Sequence, residues 1–455
     1  MTVSFPAAPA HIHFIGIGGI SMSGLAAVLL NMGYKISGSD SKSSALTEDL
    51  SSKGCKISYP QSADNITSDI DAVVYTAAIH PDNPEFSKAK ELGLPTVTRA
   101  ELLGIIMARY EESVAVSGTH GKTTTTGMLS HILIEAGKDP VISIGGILPS
   151  IGSNIRIGNG TSFVTEACEY TDSFLSLFPK YSIILNVEAE HLDYFKTYEN
   201  VRASFAKFAS QTKDTVVING DVGTLPVSFE KPGIVTYGLD PSYDFHPGEI
   251  TQDDNGFPVF TAYKGDTPLF EIKLSVRGVH NVSNALAVIA VSKAMGLPDE
   301  AIVKGLSSFT GTNRRFEIKG KVNGFTVVDD YAHHPTEIKA TLTAAKSFPA
   351  NRIVCVFQPH TYSRTKSFLH DFADALSLAD IVVLADIYAA REAFDETISS
   401  RDIQKLLSEK GVESYYFSEF SEIEKFLLKK CIDGDLLITM GAGNIVDIAD
   451  HLTSS

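Results

Sequence analysis

The stretch "SGTHGKTTTT", residues 117–126, carries the residue types needed to hold a nucleoside triphosphate. Gly118 and Gly121 let backbone N–H groups curl around phosphate oxygens, and a helix N-terminus adds its positive dipole end. Lys122 would neutralise the β- and γ-phosphates, and Thr123 would offer its hydroxyl to Mg²⁺. Gly118 stands closer to Gly121 than the usual spacing, so the loop is a variant. A chance lysine in an ordinary strand–turn–helix is the alternative. The strand "VAVSG" before it and the helical "GMLSHILIEAG" after it favour the phosphate loop.

A second glycine-rich turn, "FIGIGGISMSG", lies near the start of the chain. Gly16 and Gly18 match the first two glycines of a dinucleotide fingerprint, but Ser21 replaces the third. Asp40 falls where a ribose-binding acid is expected. A dehydrogenase needs no ATP loop. An ATP-dependent enzyme whose other substrate is a nucleotide derivative needs both cradles, and this tilts the first away from NAD.

Further groups cluster at the ends of expected strands. Glu166 ends "SFVTEA", with Glu169 and Asp172 close behind, where a carboxylate beside a phosphate loop is placed to hold Mg²⁺. Glu188, Glu190, His191 and Asp193 follow "YSIILNV". His191 is read as a metal or substrate ligand against the alternative of a structural histidine. In "HNVSNALA", Asn281 and Asn284 suit an adenine edge or a simple helix cap. Arg314, Arg315, Asp329, Asp330, His333 and His334 gather in "TNRRFE" and "VVDDYAHHP". His360 and Arg364 follow the strand "RIVCVFQP", and Arg364 is a candidate carboxylate fork.

These residues need strands and helices in alternation to position them. Three blocks show that pattern: one from "HIHFIGIGG" to "TRAELLGIIMARYEES", one from "SVAVSG" to "HNVSNALAVIAVSKAMG", and one from near Gly311 onward. Parallel sheets follow. In the second block, "GIVTYGL" and "FPVFTAYKGDTPLFEIKLSV" read as antiparallel ribbon. The length of 455 residues supports two to four domains. With 38 basic against 54 acidic residues, a nucleic-acid partner is not expected. The four cysteines form no CxxC pair and read as reduced thiols of a cytoplasmic protein. No signal peptide and no apolar run of about 18 residues is found, so no membrane partner is expected.

In order along nearly the whole chain, "GIGGISMSG", "SGTHGKTTTT", "EAEHLDYF", "HNVSNALA", "NRRFE", "DDYAHHPTEI" and "QPHTYSRT" resemble the Mur ligases, which build the peptide stem of bacterial peptidoglycan. The resemblance implies an α/β chain of three domains. These would be a Rossmann-like UDP-sugar-binding domain (1–109), a P-loop ATPase-type central domain with a small antiparallel ribbon (110–312), and a Rossmann-like C-terminal domain (313–455) that binds the amino acid and closes over both. It implies a cytoplasmic ligase, monomeric or weakly dimeric, that joins L-alanine to the lactyl carboxylate of UDP-N-acetylmuramate through an acyl phosphate, using ATP and Mg²⁺. Imidazole among the metal ligands would let Mn²⁺ substitute.

Carried over residue by residue, the resemblance places Gly16, Gly18, Gly19, Ser21, Met22, Asp40 and Thr76 around the UDP-sugar. Gly118, Thr119, His120, Gly121, Lys122, Thr123, Thr124, Asn284, Arg315 and Asp330 would surround ATP. Thr123, Glu166 and His191 would hold the metal, and His333 and Arg364 would face alanine. Lys122, His191, His333 and Arg364 are the expected catalytic set. Three positions depart from relatives: Cys168 stands where Asp is frequent, Thr361 where some alanine ligases carry Arg, and Phe205 where sister ligases carry a carbamoylated lysine, with Lys207 off register. The rival readings are a ligase recycling a preformed tripeptide, a nicotinamide oxidoreductase, and a non-enzymatic nucleotide-binding regulator.

Overall fold

The computed structural model describes residues 5–454 apart from 77 and 226–232. The chain divides into two compact units, Met1–His246 with Leu286–Gly305, and Pro247–Ala285 with Leu306–Ser455.

The first unit contains two sheets. The N-terminal sheet has five parallel strands in the order Lys56–Ser58, Lys35–Ser39, His11–Ile15, Ala72–Tyr75, Thr96–Thr98. The order reverses direction beside His11–Ile15, the switch point where open α/β sheets bind ligands. "HIHFI" alternates across this sheet. Ile12 and Phe14 enter the large core with helix Ile20–Asn31, whereas Ile15 packs with Ile66, Ile70 and Ala89 on the other side.

In the second sheet, strand Glu112–Ser117 lies between Tyr181–Ile184 and Ser162–Ala167, all parallel. Thr215–Asn219 and Gly233–Tyr237 extend one side in parallel. Val141–Leu148 and then antiparallel Ser153–Arg156 extend the other. "GIVTY" is therefore a strand of the parallel sheet and not part of the expected ribbon. Its β-branched residues suit either arrangement, and only the pairing with Thr215–Asn219 decides it.

Two helices flanking the N-terminal sheet meet the central block at glycines. A Cβ on Gly24 would lie 2.9 Å from Ile155 Cδ1, and one on Gly104 would lie 2.0 Å from the Ser176 carbonyl oxygen. At Gly104, against a backbone carbonyl, only hydrogen permits the contact, whereas at Gly24 the neighbour is the tip of the Ile155 side chain.

The second unit holds the ribbon, Pro258–Lys264 paired antiparallel with Thr267–Lys273, as the turn "KGDT" suggests. Its main sheet runs Glu317–Val322, Phe325–Asp330, Leu436–Met440, Ile353–Phe357, Ile381–Leu384, Glu413–Tyr416. All neighbours are parallel except the first pair. Among the described residues no helix is long and apolar enough to cross a membrane.

Candidate active site

Most helices of the first unit start with a side-chain cap. Thr98 and Glu101 form a reciprocal capping box at Arg99–Met107, and Asn83 caps Pro84–Glu91. Two helices do not. Ile20–Asn31 starts at Gly19 and Lys122–Glu135 at Gly121, and neither has a side-chain cap. Both follow a glycine turn at the end of a central strand, so their first-turn amides suit anionic oxygens.

Around the phosphate loop, Gly118 has φ +143° and Gly121 φ +85°, conformations that L side chains rarely adopt. Asn186 braces the turn: its Oδ1 accepts from His120 N–H at 2.8 Å, and its Nδ2 donates to His120 O at 3.1 Å. Thr119 Oγ1 accepts from Glu188 N–H at 3.0 Å. Thr123 is buried and Thr124 half-buried in the first turn.

Lys122 Nζ donates to Gly118 O at 2.5 Å, Thr119 O at 3.1 Å and Glu169 Oε2 at 2.9 Å. Burial works against its ammonium form, but Glu169 outweighs it and the pKa is raised. Burial likewise pushes the Glu169 carboxyl up. The Lys122 charge, with hydrogen bonds from His191 and Lys122, overcomes this and sets it at about 2.

Glu169, Glu190 and His191 place ligand atoms within 4.8 Å of one another. His191 Nε2 lies 3.6 Å from Glu169 Oε1 and 4.0 Å from Glu190 Oε2, and its ring packs on Tyr170 at 4.6 Å. Two carboxylates and an imidazole fit a divalent cation that accepts oxygen and one nitrogen. Glu166 is directed elsewhere: its Oε1 accepts from Gly145 N–H of the adjoining strand at 2.5 Å. Asp172 accepts from Ser204 and from Tyr194 at 2.9 Å. Phe205 is core, stacked edge-on with Phe174, and Lys207 is exposed.

In the first cradle, Gly16 has φ +80° and lies beside Thr76, whose hydroxyl accepts from Ala78 N–H at 2.9 Å. Asp40 Oδ2 accepts from Gly18 N–H at 2.8 Å, so this carboxylate braces the loop. The Met22 side chain is in the core, leaving its main chain to any ligand. Ser21 Oγ accepts from Arg99 at 3.3 Å. Arg99 was not singled out from the sequence, because nothing in "VTRAEL" signals that a helix start some 80 residues downstream returns to this turn. A cleft lined by Ser21, Arg99, Asn154, Glu166, Cys168 and Ser173 runs from this helix start to the tips of the second sheet.

The second unit collects the remaining candidates. Asn284 Nδ2 donates to Asn281 Oδ1 at 3.0 Å, and Asn281 Nδ2 to Arg277 O at 2.7 Å. Asp330 accepts from Phe316 N–H and Ala332 N–H, both at 2.8 Å. Burial raises its pKa to about 6 despite the Arg315 charge. Arg315 stacks over Tyr331 at 5.2 Å. Arg314, not carried forward from the sequence as a ligand contact, instead holds Asp329 at 2.9 Å and Gly441 O at 2.7 Å. The rings of His333 and His360 lie 5.8 Å apart, and Arg364 reaches His360 Nδ1 at 3.1 Å. Burial, with the His333 and Arg364 charges, lowers His360 to about 4.

Three family models match: Mur ligase family, catalytic domain (11–111), Mur ligase middle domain (116–292), and Mur ligase, glutamate ligase domain (314–443). The chain belongs to the Mur ligase family. It is similar to the UDP-N-acetylmuramate–L-alanine ligase of Agathobacter rectalis, 61% identical over 98% of both chains. It is 54% identical to that of Lachnospira eligens, again over 98% of both. Among solved structures, the UDP-N-acetylmuramate–alanine ligase MurC of Thermotoga maritima matches with TM-score 0.80 at 32% identity, covering 98% of each chain. A murein peptide ligase of Psychrobacter arcticus matches with TM-score 0.70 at 26% identity, also over 98% of each.

Proposed function

We propose that this protein is an ATP-dependent ligase that joins L-alanine to the lactyl carboxylate of UDP-N-acetylmuramate. The observation that carries the reading is the pair of uncapped, glycine-led helix starts in one unit, with a cleft leading from the first towards the second sheet. The identity to alanine ligases supports the choice of substrates. The proposed domains are 1–109 for the UDP-sugar, 110–312 for ATP and 313–455 for the amino acid.

The lactyl carboxylate oxygen attacks the γ-phosphorus of ATP, ADP leaves, and an acyl phosphate forms. Lys122 and the loop amides neutralise and align the transferring group. Thr123, Glu169, Glu190 and His191 would hold Mg²⁺, with Glu166 bracing the adjoining strand. When bound, the metal supplies charge neutralisation at the phosphates. The alanine nitrogen then attacks the acyl carbon, inorganic phosphate leaves, and the amine proton passes to water or a base near His333. Arg364 forks the alanine carboxylate. Asn284, Arg315 and the loop braced by Asp330 serve the nucleotide.

Phosphate release from ATP is the direct test, with and without UDP-N-acetylmuramate and with a panel of acceptors. Release that needs both the sugar nucleotide and L-alanine is the expected result. Preference for a preformed tripeptide would make the enzyme a recycling ligase. Release without the sugar nucleotide would overturn the reading.

A further inference from the structure

Behind the first cradle lies a chain of buried polar side chains that the reaction does not use directly. In the register of the N-terminal sheet, His13 pairs with Ser37 and Ile15 with Ser39. His11 and His13 therefore share the sheet face that carries Ser37 and Ser39. His11 Nε2 and His13 Nδ1 both meet Ser37 Oγ, at 2.8 and 2.9 Å. His13 Nε2 lies 3.4 Å from Glu85 Oε2.

Glu85 is fully buried, yet every partner favours its carboxylate. Ser39 Oγ donates to Oε2 at 2.5 Å, and Oε1 accepts from Asn65 Nδ2 at 2.6 Å and Ser62 N–H at 3.3 Å. Burial pushes its pKa up, and the hydrogen bonds from His13, Ser39 and Asn65 bring it below the usual range. A buried charge with this many partners is costly to misplace.

Ser39 is the link to the site. Its carbonyl accepts from Gly16 N–H at 2.9 Å and Ile17 N–H at 3.0 Å. The next residue, Asp40, accepts from Gly18 N–H at 2.8 Å. Three successive amides of the glycine turn thus hang on Ser39–Asp40, and the Ser39 side chain hangs on Glu85.

We propose that Glu85 is a positioning residue for the sugar-nucleotide cradle, anchoring Ser39 so that the glycine turn presents the first-turn amides of helix Ile20–Asn31 to the diphosphate. This rests on the reading that the first cradle holds the sugar nucleotide. A merely structural carboxylate would change thermal stability and kcat together. A positioning carboxylate changes one KM.

The test uses the full chain with Ser39→Ala and Glu85→Gln. Each is followed by thermal melting, by kcat and KM for UDP-N-acetylmuramate, ATP and L-alanine, and by calorimetric binding of UDP-N-acetylmuramate. Losing one such hydrogen bond is expected to raise KM and Kd for the sugar nucleotide about tenfold. KM for ATP and alanine should stay within about twofold. Should Glu85→Gln fail to fold, Ser39→Ala, which removes only a hydroxyl, decides the matter. Folded variants with unchanged KM for the sugar nucleotide, or with all three KM values raised alike, overturn the proposal. Failure of the wild type to bind UDP-N-acetylmuramate would instead overturn the reading of the cradle itself.

Discussion

Lys122 is held by two carbonyls of its own loop and by Glu169, all within 3.1 Å, which fixes its ammonium group over the glycine turn proposed to hold ATP. Lys122→Ala should cut turnover by about 10²-fold or more, measured as phosphate release, while calorimetry shows UDP-N-acetylmuramate binding nearly intact. Near-normal turnover would remove Lys122 from the mechanism. Arg364 calls for a different readout. Arg364→Lys keeps the charge but loses the planar fork, so KM for alanine should rise, and rise further in Arg364→Ala, with KM for ATP unmoved. A raised KM for ATP would move the residue to the nucleotide site. At this scale the sequence was legible where chemistry is local. "GKT" names its own lysine, and "EAEHLDYF" offered Glu190 and His191 together. Glu166 and Glu169 are three residues apart at one strand tip, and telling their protein partners apart needed the sheet order. Gly145 N–H lies on the neighbouring strand and takes Glu166, while Glu169 turns to Lys122 and His191.

At the scale of elements, glycine turns, strand runs and helix starts were readable because each follows from neighbouring residues. The short strands Lys56–Ser58 and Thr96–Thr98 and the edge strand Glu413–Tyr416 were not singled out. Runs this short carry little periodicity, and pairing with a longer neighbour makes them strands. The packing of helix Arg99–Met107 was also hidden, since a helical Gly104 looks unremarkable until Ser176 is found against it. Gly104→Ala should destabilise the protein by about 1–3 kcal/mol, read from denaturant unfolding, through overpacking at a backbone contact. Unchanged stability would mean that the two segments part at little cost.

For the molecule as a whole, two buried carboxyls give opposite pH dependences. Glu169 has its folded pKa lowered to about 2, so its contribution is present above the unfolded value and lost as pH falls from about 5 towards 2. The melting temperature should drop across that window, and less steeply in Glu169→Gln. Asp330 is raised to about 6 by burial. Its folded form binds a proton more readily than the unfolded chain, so between about pH 4 and 6 it favours the folded state increasingly as pH falls. Asp330→Asn should remove that component. Matching slopes in variant and wild type would assign the pH dependence to other groups.

At Gly104 the flanking elements of the first unit's sheets meet by backbone approach, against the Ser176 carbonyl, and at Gly24 the Ile155 side chain closes on helix Ile20–Asn31. On the proposed reading, the two uncapped helix starts are marks on a ruler. A sugar nucleotide is measured from its diphosphate to its carboxylate, and only an arm of the right length reaches the second mark. An analogue with one extra methylene between the ether oxygen and the carboxylate should bind about as well as UDP-N-acetylmuramate. Its phosphorylation should be slower by about 10²-fold, the penalty expected for a misplacement near 1 Å. Equal rates for the two arm lengths would show that the ruler bends.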